Sequence, residues 1–278
     1  MILLHLAVVA LYGLAAWALW PATSPAAASG SQPEPTPKWR PPAAYVSSLL
    51  PVAVLAHAGL VWGNIATPDG LDLSLGNAVS VVAGLAAALA WLSGLLTTMP
   101  VIGTVVLPVA AAASLLPALM TSAHRFPYAA EPWAAIHVAV ALVAYALFIV
   151  AALQALLLME LEKRLHRRLP DPGADAMPPL LTLERFLFRL VSAGFVLLTV
   201  TLATGILFSE QLFGRPFPFN HKFVFSVLGW VTFGGLLWGR WRYGWRGRVA
   251  LRWILAGTAF VFLAYLGSKF VLEVLLGR

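Results

Sequence analysis

Cysteine is absent from this 278-residue chain, and charged residues make up only 10% of it. The absence of cysteine excludes thiolate-ligated metal clusters, zinc knuckles, disulfide frameworks and CxxC redox chemistry. Soluble domains contain about 25% charged residues, so the scarcity of charge excludes an ordinary soluble enzyme and a disordered chain. Hydrophobic residues are abundant instead, at 60% of the total. The composition therefore predicts a polytopic membrane protein.

Eight apolar runs are long enough to cross the hydrocarbon core as helices, which takes about 20 residues each. Membrane-spanning strands would need alternating segments of about ten residues, and the sequence contains none. The predicted fold class is all-α, with eight transmembrane helices. The predicted spans are 2–20, 43–66, 76–96, 101–120, 133–159, 187–208, 223–239 and 250–272.

Three parts of the chain differ in composition. Residues 1–20 form the first predicted span, 21–42 a Pro/Ala-rich cytoplasmic linker, and 43–278 a seven-helix membrane domain. The first span resembles a signal peptide with a small-residue site at 26–28, but it lacks a positively charged start, and we expect it to be retained. Residues 160–168 are predicted to extend the fifth helix, and the sixth to begin near Thr182.

Lysine and arginine are distributed unequally between the two sides of the predicted bundle. The first, third, fifth and seventh connections between spans lie on the same side of the membrane. Thirteen of the 18 basic residues fall on this side, in the connections or at the adjoining ends of the spans. The positive-inside rule places these ends in the cytoplasm and both termini outside. The net charge of +7 is then an orientation signal whose partner is the lipid bilayer, through anionic headgroups, and not nucleic acid. The thirteen are Lys38, Arg40, Lys163, Arg164, Arg167, Arg168, Arg185, Arg189, Arg240, Arg242, Arg246, Arg248 and Arg252.

Five of the six histidines fall in the predicted outer half, namely His5, His57, His124, His137 and His221. His57 is nine residues from the outer end of its span, or about 14 Å deep. An ionisable side chain at that depth indicates a functional site by default. A neutral imidazole also serves as a hydrogen-bonding group between helices. Haem or metal ligation and helix packing are therefore both open for His57.

His137 and His221 share a predicted depth at the outer boundary, whereas His57 lies roughly 8 Å deeper than His137. A bis-histidine haem site would therefore use His137 and His221, with Phe213, Phe217 and Phe219 as its apolar wall. The alternative is an interfacial histidine, a helix-cap neighbour and an ordinary aromatic belt. We expect His5 and His124 to be interfacial and solvated. Tyr145, eight positions after His137, is expected on about the same helix face.

Acidic residues are missing from the interior of the predicted spans, and only Glu273 stands at the outer end of the last one. Proton-coupled transporters normally carry buried acids at their ion sites, so this scarcity disfavours a transporter. The sequence also contains no convincing HExxH, Walker, GxGxxG or Ser/His/Asp pattern. We expect no enzymatic activity.

Four stretches resemble the cytochrome c assembly family of membrane proteins (CcsA- and CcmC-like haem handlers), and within it the HemX-like and YpjD-like branch. They are AHAGLVWG around His57, IHVAVALVAYALF around His137, MPPLLTLERFLFRLVSAGFVLLTVTLATG at 177–205 and HKFVFSVLGWVTFGGLLWGRWRYGWRGR at 221–248. The resemblance implies a multi-pass protein of the bacterial inner membrane, haem b as cofactor, and haem-handling or cytochrome c maturation proteins as partners. It also implies that His57 belongs to a haem site within the membrane and His137 to an external site, as an axial ligand.

The sequence departs from the pattern of the family's haem ligases in three places. Where the ligases have a tryptophan-rich outer loop, this chain has FSEQLFGRPFPFNHKF. Where they have a second intramembrane histidine, this chain has Trp238. The outer histidine that the ligases carry after the last-span region is missing here. His221 lies at the end of the phenylalanine-rich loop and could replace that missing ligand. We therefore expect a haem-associated protein without full ligase activity, with candidate cofactor-binding residues His57, His137 and His221, and with His137 and His221 as iron ligands. The rival hypothesis is a haem-free accessory protein that partners a transporter or assembly complex.

Overall fold

The computed structural model describes residues 2–19, 43–67, 70–96, 100–120, 125–126, 132–166, 179–207 and 221–271. Eight helices occupy these ranges, and seven of them are long and apolar enough to cross a membrane. The fourth contains a shorter apolar stretch, Val105–Leu119. The predicted linker at 21–42 lies outside the described residues. The helices are α1 (Ile2–Leu19), α2 (Ala43–Ile65), α3 (Leu75–Leu96), α4 (Pro100–Leu119), α5 (Pro132–His166), α6 (Leu180–Leu207), α7 (His221–Tyr243) and α8 (Gly247–Phe262).

The all-α prediction is confirmed, and most of the helix boundaries lie close to the predicted ones. Helix α5 continues past its apolar part to His166, as its charged end predicted, and α6 begins at Leu180. Pro51 in α2 and Pro108 in α4 lie inside helices. Proline is tolerated in membrane helices because neighbouring groups satisfy the backbone that it leaves unpaired.

A small antiparallel sheet accompanies the helices, which the sequence did not predict. Its strands are β1 (Ala66–Thr67), β2 (Gly70–Asp72) and β3 (Arg125–Phe126), with Leu71 paired to Ala66 on one side and to Phe126 on the other. Strands of two or three residues are too short to show an alternating pattern. The sheet ties the α2–α3 connection to the α4–α5 connection, so both lie at one end of the bundle.

The helices form two groups of four. Helices α1 to α4 pack against one another, α5 packs on α6 and α8, and α7 packs on α6 and α8. The groups meet mainly where α3 packs against α5. The described part of the chain is therefore a single helical bundle with a seam between its sequence halves.

Two stacked phenylalanines lie at the centre of the second group. The rings of Phe148 on α5 and Phe233 on α7 are parallel, with centroids 4.0 Å apart. Gly194 on α6 and Gly257 on α8 leave room for them, since a Cβ at either position would lie 2.8 Å from a ring carbon. Small residues at such positions let membrane helices approach closely.

Two ion pairs connect the helices at the end of the bundle away from the sheet. Arg240 on α7 lies 2.6 Å from Glu184 on α6, and Arg248 on α8 lies 3.7 Å from Glu162 on α5. The ends of α5 and α7 therefore lie at the opposite end of the bundle from the sheet, as the predicted spans require. The assignment of this end to the cytoplasm stays a prediction.

Candidate functional site around the histidines

His137 lies in the second turn of α5 and is partly buried against α6. Its Nδ1 is 2.8 Å from the hydroxyl oxygen of Thr204. The Thr204 hydroxyl is itself 2.8 Å from the carbonyl oxygen of Val200, to which it donates. When the hydroxyl hydrogen points to Val200, Thr204 accepts a hydrogen bond from His137 Nδ1–H.

This arrangement corresponds to the Nδ1–H tautomer of His137. With the proton on Nδ1, the lone pair of the neutral imidazole is on Nε2, for which the described part of the chain offers no hydrogen-bond donor. Metal-ligating histidines commonly have this arrangement, in which one ring nitrogen is held by a second residue and the other is left to bind. The donor chemistry of His137 therefore fits an axial ligand of haem iron.

His221 is the first residue of α7 and is exposed. A hydrogen bond between α6 and α7 allows their depths to be compared. The Thr199 hydroxyl on α6 accepts this 2.9 Å bond from the indole N–H of Trp230 on α7. By helical rise, His221 lies about 14 Å and Thr204 about 8 Å above this bond. His221 and Thr204 therefore differ in depth by about 6 Å. Among the described residues no contact joins His221 to His137, and their pairing on one iron stays a prediction.

The rest of the predicted outer site falls largely outside the described residues. Phe213, Phe217 and Phe219, which would form the apolar wall, are outside them, as is His124. In the ranges that the structure does describe, no cluster of three or more His, Asp or Glu side chains could hold a metal ion.

His57 has very different surroundings, at the junction of α1, α2 and α3. Its side chain is 1% exposed. Its Nδ1 is 3.2 Å from the Tyr12 hydroxyl and its Nε2 is 3.0 Å from the Ser80 hydroxyl. The Tyr12 ring stands edge-on to the imidazole at 5.6 Å, and a Cβ at Gly84 would lie 3.1 Å from Nδ1.

These contacts use both nitrogens and enclose the ring of His57. An axial haem ligand needs one nitrogen with a free lone pair and space for a porphyrin beside it. His57 offers neither in this arrangement, so the intramembrane haem site implied by the family resemblance does not fit the geometry. The contacts match the packing interpretation, in which an imidazole joins helices by hydrogen bonds.

His5 does not lie in a solvated interface, so our expectation for it was wrong. Its side chain is 2% exposed, and its Nδ1 donates a hydrogen bond of 2.5 Å to the carbonyl oxygen of Ser114 on α4. Its position near the helix start suggested solvent, but α1 turns this residue toward α4. Hydrogen bonding to a backbone carbonyl offsets the cost of burying the imidazole.

Tyr145 and His137 contact different helices, although both were expected on about the same face of α5. His137 contacts Thr204 on α6, whereas the Tyr145 ring centroid lies 5.7 Å from that of Tyr265, in the π-helical turn Leu263–Gly267 that continues α8. Eight positions correspond to a rotation of about 80° around a helix of 3.6 residues per turn. That rotation is enough to change the neighbouring helix.

Sequence reasoning missed the buried lysine in the last helix. Lys269 is 3% exposed, and its ammonium group donates to the carbonyl oxygen of Leu73, just before α3. Helix α8 continues through Leu263–Gly267 as a π-helix, which alters the direction in which the following side chains point. A pattern based on 3.6 residues per turn cannot anticipate that change.

An apolar cavity of about 640 Å³ lies at the seam between α3, α4, α5 and α8. Its lining includes Val82, Val106, Ile149, Leu266 and Phe270, and none of the histidines. The cavity is therefore separate from His137.

Comparison with known proteins gives one consistent result. Residues 45–276 match the model of a family described as cytochrome C assembly protein. The chain is 32% identical over 236 residues to the inner membrane protein YpjD of Escherichia coli K12, covering 81% of this chain and 85% of that protein. It is 26% identical over 209 residues to the cytochrome c biogenesis protein CcsA of Thermosynechococcus vestitus, covering 60% and 66%. No solved structure matches the chain.

Proposed function

Because the chain belongs to the cytochrome c assembly protein family, as its sequence resemblance predicted, we propose that it is a haem-associated protein of the bacterial inner membrane. It would bind or handle haem near its outer face. The relative named as an inner membrane protein supports that location, and the relatives named for cytochrome c biogenesis support a role beside maturation proteins. The chain has no cysteine, so this role would run through histidine.

The observation that carries the proposal is the hydrogen bond between His137 and Thr204. It presents Nε2 as a neutral lone-pair donor, and it fixes the plane of the imidazole against α6. Haem b, when bound, would supply an iron centre with open axial positions. His137 would hold one such position, and His221 is the candidate for the other.

We further propose that the protein is not a haem ligase and has no enzymatic activity. The outer loop that carries tryptophans in the ligases of this family carries Phe213, Phe217 and Phe219 instead, and Trp238 replaces a histidine. A site with one well-positioned histidine suits holding or passing on haem. Haem-handling and maturation proteins are then the expected partners.

The absorption spectrum of the detergent-purified protein tests the haem proposal. Protein from haem-replete cells, or protein titrated with haemin, should show a Soret band that weakens in His137→Ala. His166→Ala, at the opposite end of the same helix, is the matched control and should keep the band. A wild-type preparation that stays colourless and takes up no haemin would refute the proposal.

A second candidate is the haem-free accessory protein, and the surroundings of His57 favour it. Both nitrogens of that residue are bonded within the bundle, as expected if the histidines only join helices. The His57/His137/His221 triple replacement separates the two candidates. An accessory protein should still insert and copurify with its partners, whereas a haem protein should lose its pigment.

A further inference from the structure

The turn between α7 and α8 carries a dense set of arginines at the end of the bundle away from the sheet. Two of them are neutralised by acids, since Arg240 pairs with Glu184 at 2.6 Å and Arg248 lies 3.7 Å from Glu162. Arg240 also lies over the Phe188 ring, with its guanidinium carbon 3.7 Å from the ring centroid. These two arginines serve to fasten the hairpin to α5 and α6.

Three other arginines form what we call the arginine surface: Arg242, Arg246 and Arg252. All three are exposed, and no acidic side chain in the described ranges pairs with them. Arg242 lies near the end of α7, Arg246 in the turn and Arg252 in the second turn of α8. Three positive charges that have no acidic partner among the described residues therefore lie within a short stretch at one end of the bundle.

Exposed aromatic rings accompany these charges. Trp241 is 80% exposed and Tyr243 is 58% exposed. The guanidinium carbon of Arg242 lies 5.6 Å from the centroid of the Tyr243 ring. Tryptophan and tyrosine are enriched at the level of lipid headgroups, because each ring combines an apolar body with a polar group. Their exposure where two apolar helices end indicates that the arginine surface lies at headgroup level.

The hairpin that carries the arginine surface is held in one shape. Gly244 and Gly247 have φ of +68° and +54°, a conformation that glycine adopts without strain. The Trp245 ring packs against α7 so closely that a Cβ at Gly239 would lie 2.4 Å from a ring atom. The centroids of the Trp245 and Trp253 rings are 5.1 Å apart. The arginine surface therefore belongs to a preorganised hairpin.

We propose that the arginine surface binds the phosphate groups of anionic phospholipids through paired guanidinium contacts. A guanidinium can donate two parallel hydrogen bonds to one phosphate. Basic sites at the ends of membrane helices are suited to cardiolipin, whose headgroup carries two phosphates. The proposal is independent of haem binding. It is more specific than the attraction of all basic ends to the membrane surface, because it assigns lipid binding to one hairpin.

Native mass spectrometry of the full-length protein tests the proposal, in non-ionic detergent containing cardiolipin and phosphatidylcholine. The wild type should retain cardiolipin in preference to phosphatidylcholine. Arg242→Gln/Arg246→Gln/Arg252→Gln should bind cardiolipin roughly 100-fold more weakly, at about fivefold per arginine. The matched control, Lys163→Gln/Arg185→Gln/Arg189→Gln, removes the same charge from α5 and α6 and should bind like the wild type.

Equal losses in the two variants would show diffuse charge attraction and overturn the proposal, as would a wild type without preference for cardiolipin. If the glutamine variant does not insert, Arg242→Lys/Arg246→Lys/Arg252→Lys replaces it, because it keeps the charge that orients the helices. An ammonium group cannot form the paired contact, so this variant should bind several-fold more weakly than the wild type. Binding equal to that of the wild type would also overturn the proposal.

Discussion

At the scale of single residues, the neighbours of each histidine decide what its imidazole can do. His137 has one nitrogen held by Thr204 and one that can bind a ligand. His57 has both nitrogens engaged, by Tyr12 and Ser80. Depth in the membrane left both haem ligation and helix packing open for His57, and its contacts match the packing interpretation.

Replacing Thr204 by valine tests whether the hydroxyl positions His137. Valine keeps the shape but removes the acceptor of the Nδ1–H, so haemin affinity should fall on the order of tenfold or more. Thr201→Val is the matched control, since the Thr201 hydroxyl donates to the carbonyl oxygen of Leu197 on its own helix. The measurement is a haemin titration followed by absorbance. Unchanged affinity in Thr204→Val would contradict the assigned role.

Replacing Tyr12 by phenylalanine tests the packing role of His57. The change leaves the ring in place but removes a hydrogen bond between α1 and α2, which should destabilise the protein by about 1 kcal/mol. Thermal unfolding in detergent should show this loss while the Soret band is unchanged. Tyr243→Phe, at an exposed position, should change neither. A lost Soret band with unchanged unfolding would instead give His57 a role in haem binding.

At the scale of helices, close approach depends on glycines that face large rings. Gly194 allows α6 to lie against Phe148, whose other face is stacked on Phe233. Phe148 is therefore held on both sides and cannot move to accommodate a larger neighbour. The contact between α5 and α6 also positions Thr204 against His137, so the packing and the candidate site are linked.

Gly194→Ala should therefore be destabilising by about 1–3 kcal/mol, through overpacking against Phe148. Gly94→Ala on α3 is the control, because a Cβ there would meet no atom within 4 Å. That substitution should be neutral or slightly stabilising, since alanine favours a helix more than glycine does. Thermal unfolding of the two variants provides the comparison. Equal midpoints would contradict this description of the core.

At the scale of the whole molecule, the predicted orientation follows from the distribution of charge. The sheet lies at one end of the bundle and the Arg240–Glu184 and Arg248–Glu162 pairs at the other. The positive-inside rule assigns the arginine-rich end to the cytoplasm. The absence of cysteine makes this prediction convenient to test.

Single cysteines at Ala66, in strand β1 of the sheet, and at Arg246, in the α7–α8 turn, should be labelled from opposite sides of the membrane. In intact spheroplasts a membrane-impermeant maleimide should label Ala66→Cys and leave Arg246→Cys unlabelled until the membrane is permeabilised. The unmodified chain is the blank. Labelling of Arg246→Cys alone would reverse the predicted orientation.

The sequence predicts the helices well because a membrane span depends on length and apolar composition alone. The contacts between helices depend on rotation and neighbours, which those properties do not determine. The burial of His5 and the separation of Tyr145 from His137 are two examples. Lys269 is a third, since its direction follows from a π-helical turn. Thr204, the hydrogen-bond partner of His137, could have been suggested from the sequence, because it is a polar residue within an apolar span.

The most direct test of the central claim, that Nε2 of His137 binds haem iron, is the absorption spectrum of His137→Gly with haemin. We expect the Soret band of the wild type to be lost in this variant and restored by added imidazole, which can occupy the space that the side chain leaves. Thermal unfolding should confirm that the variant is folded. A full Soret band in His137→Gly without imidazole would contradict the claim.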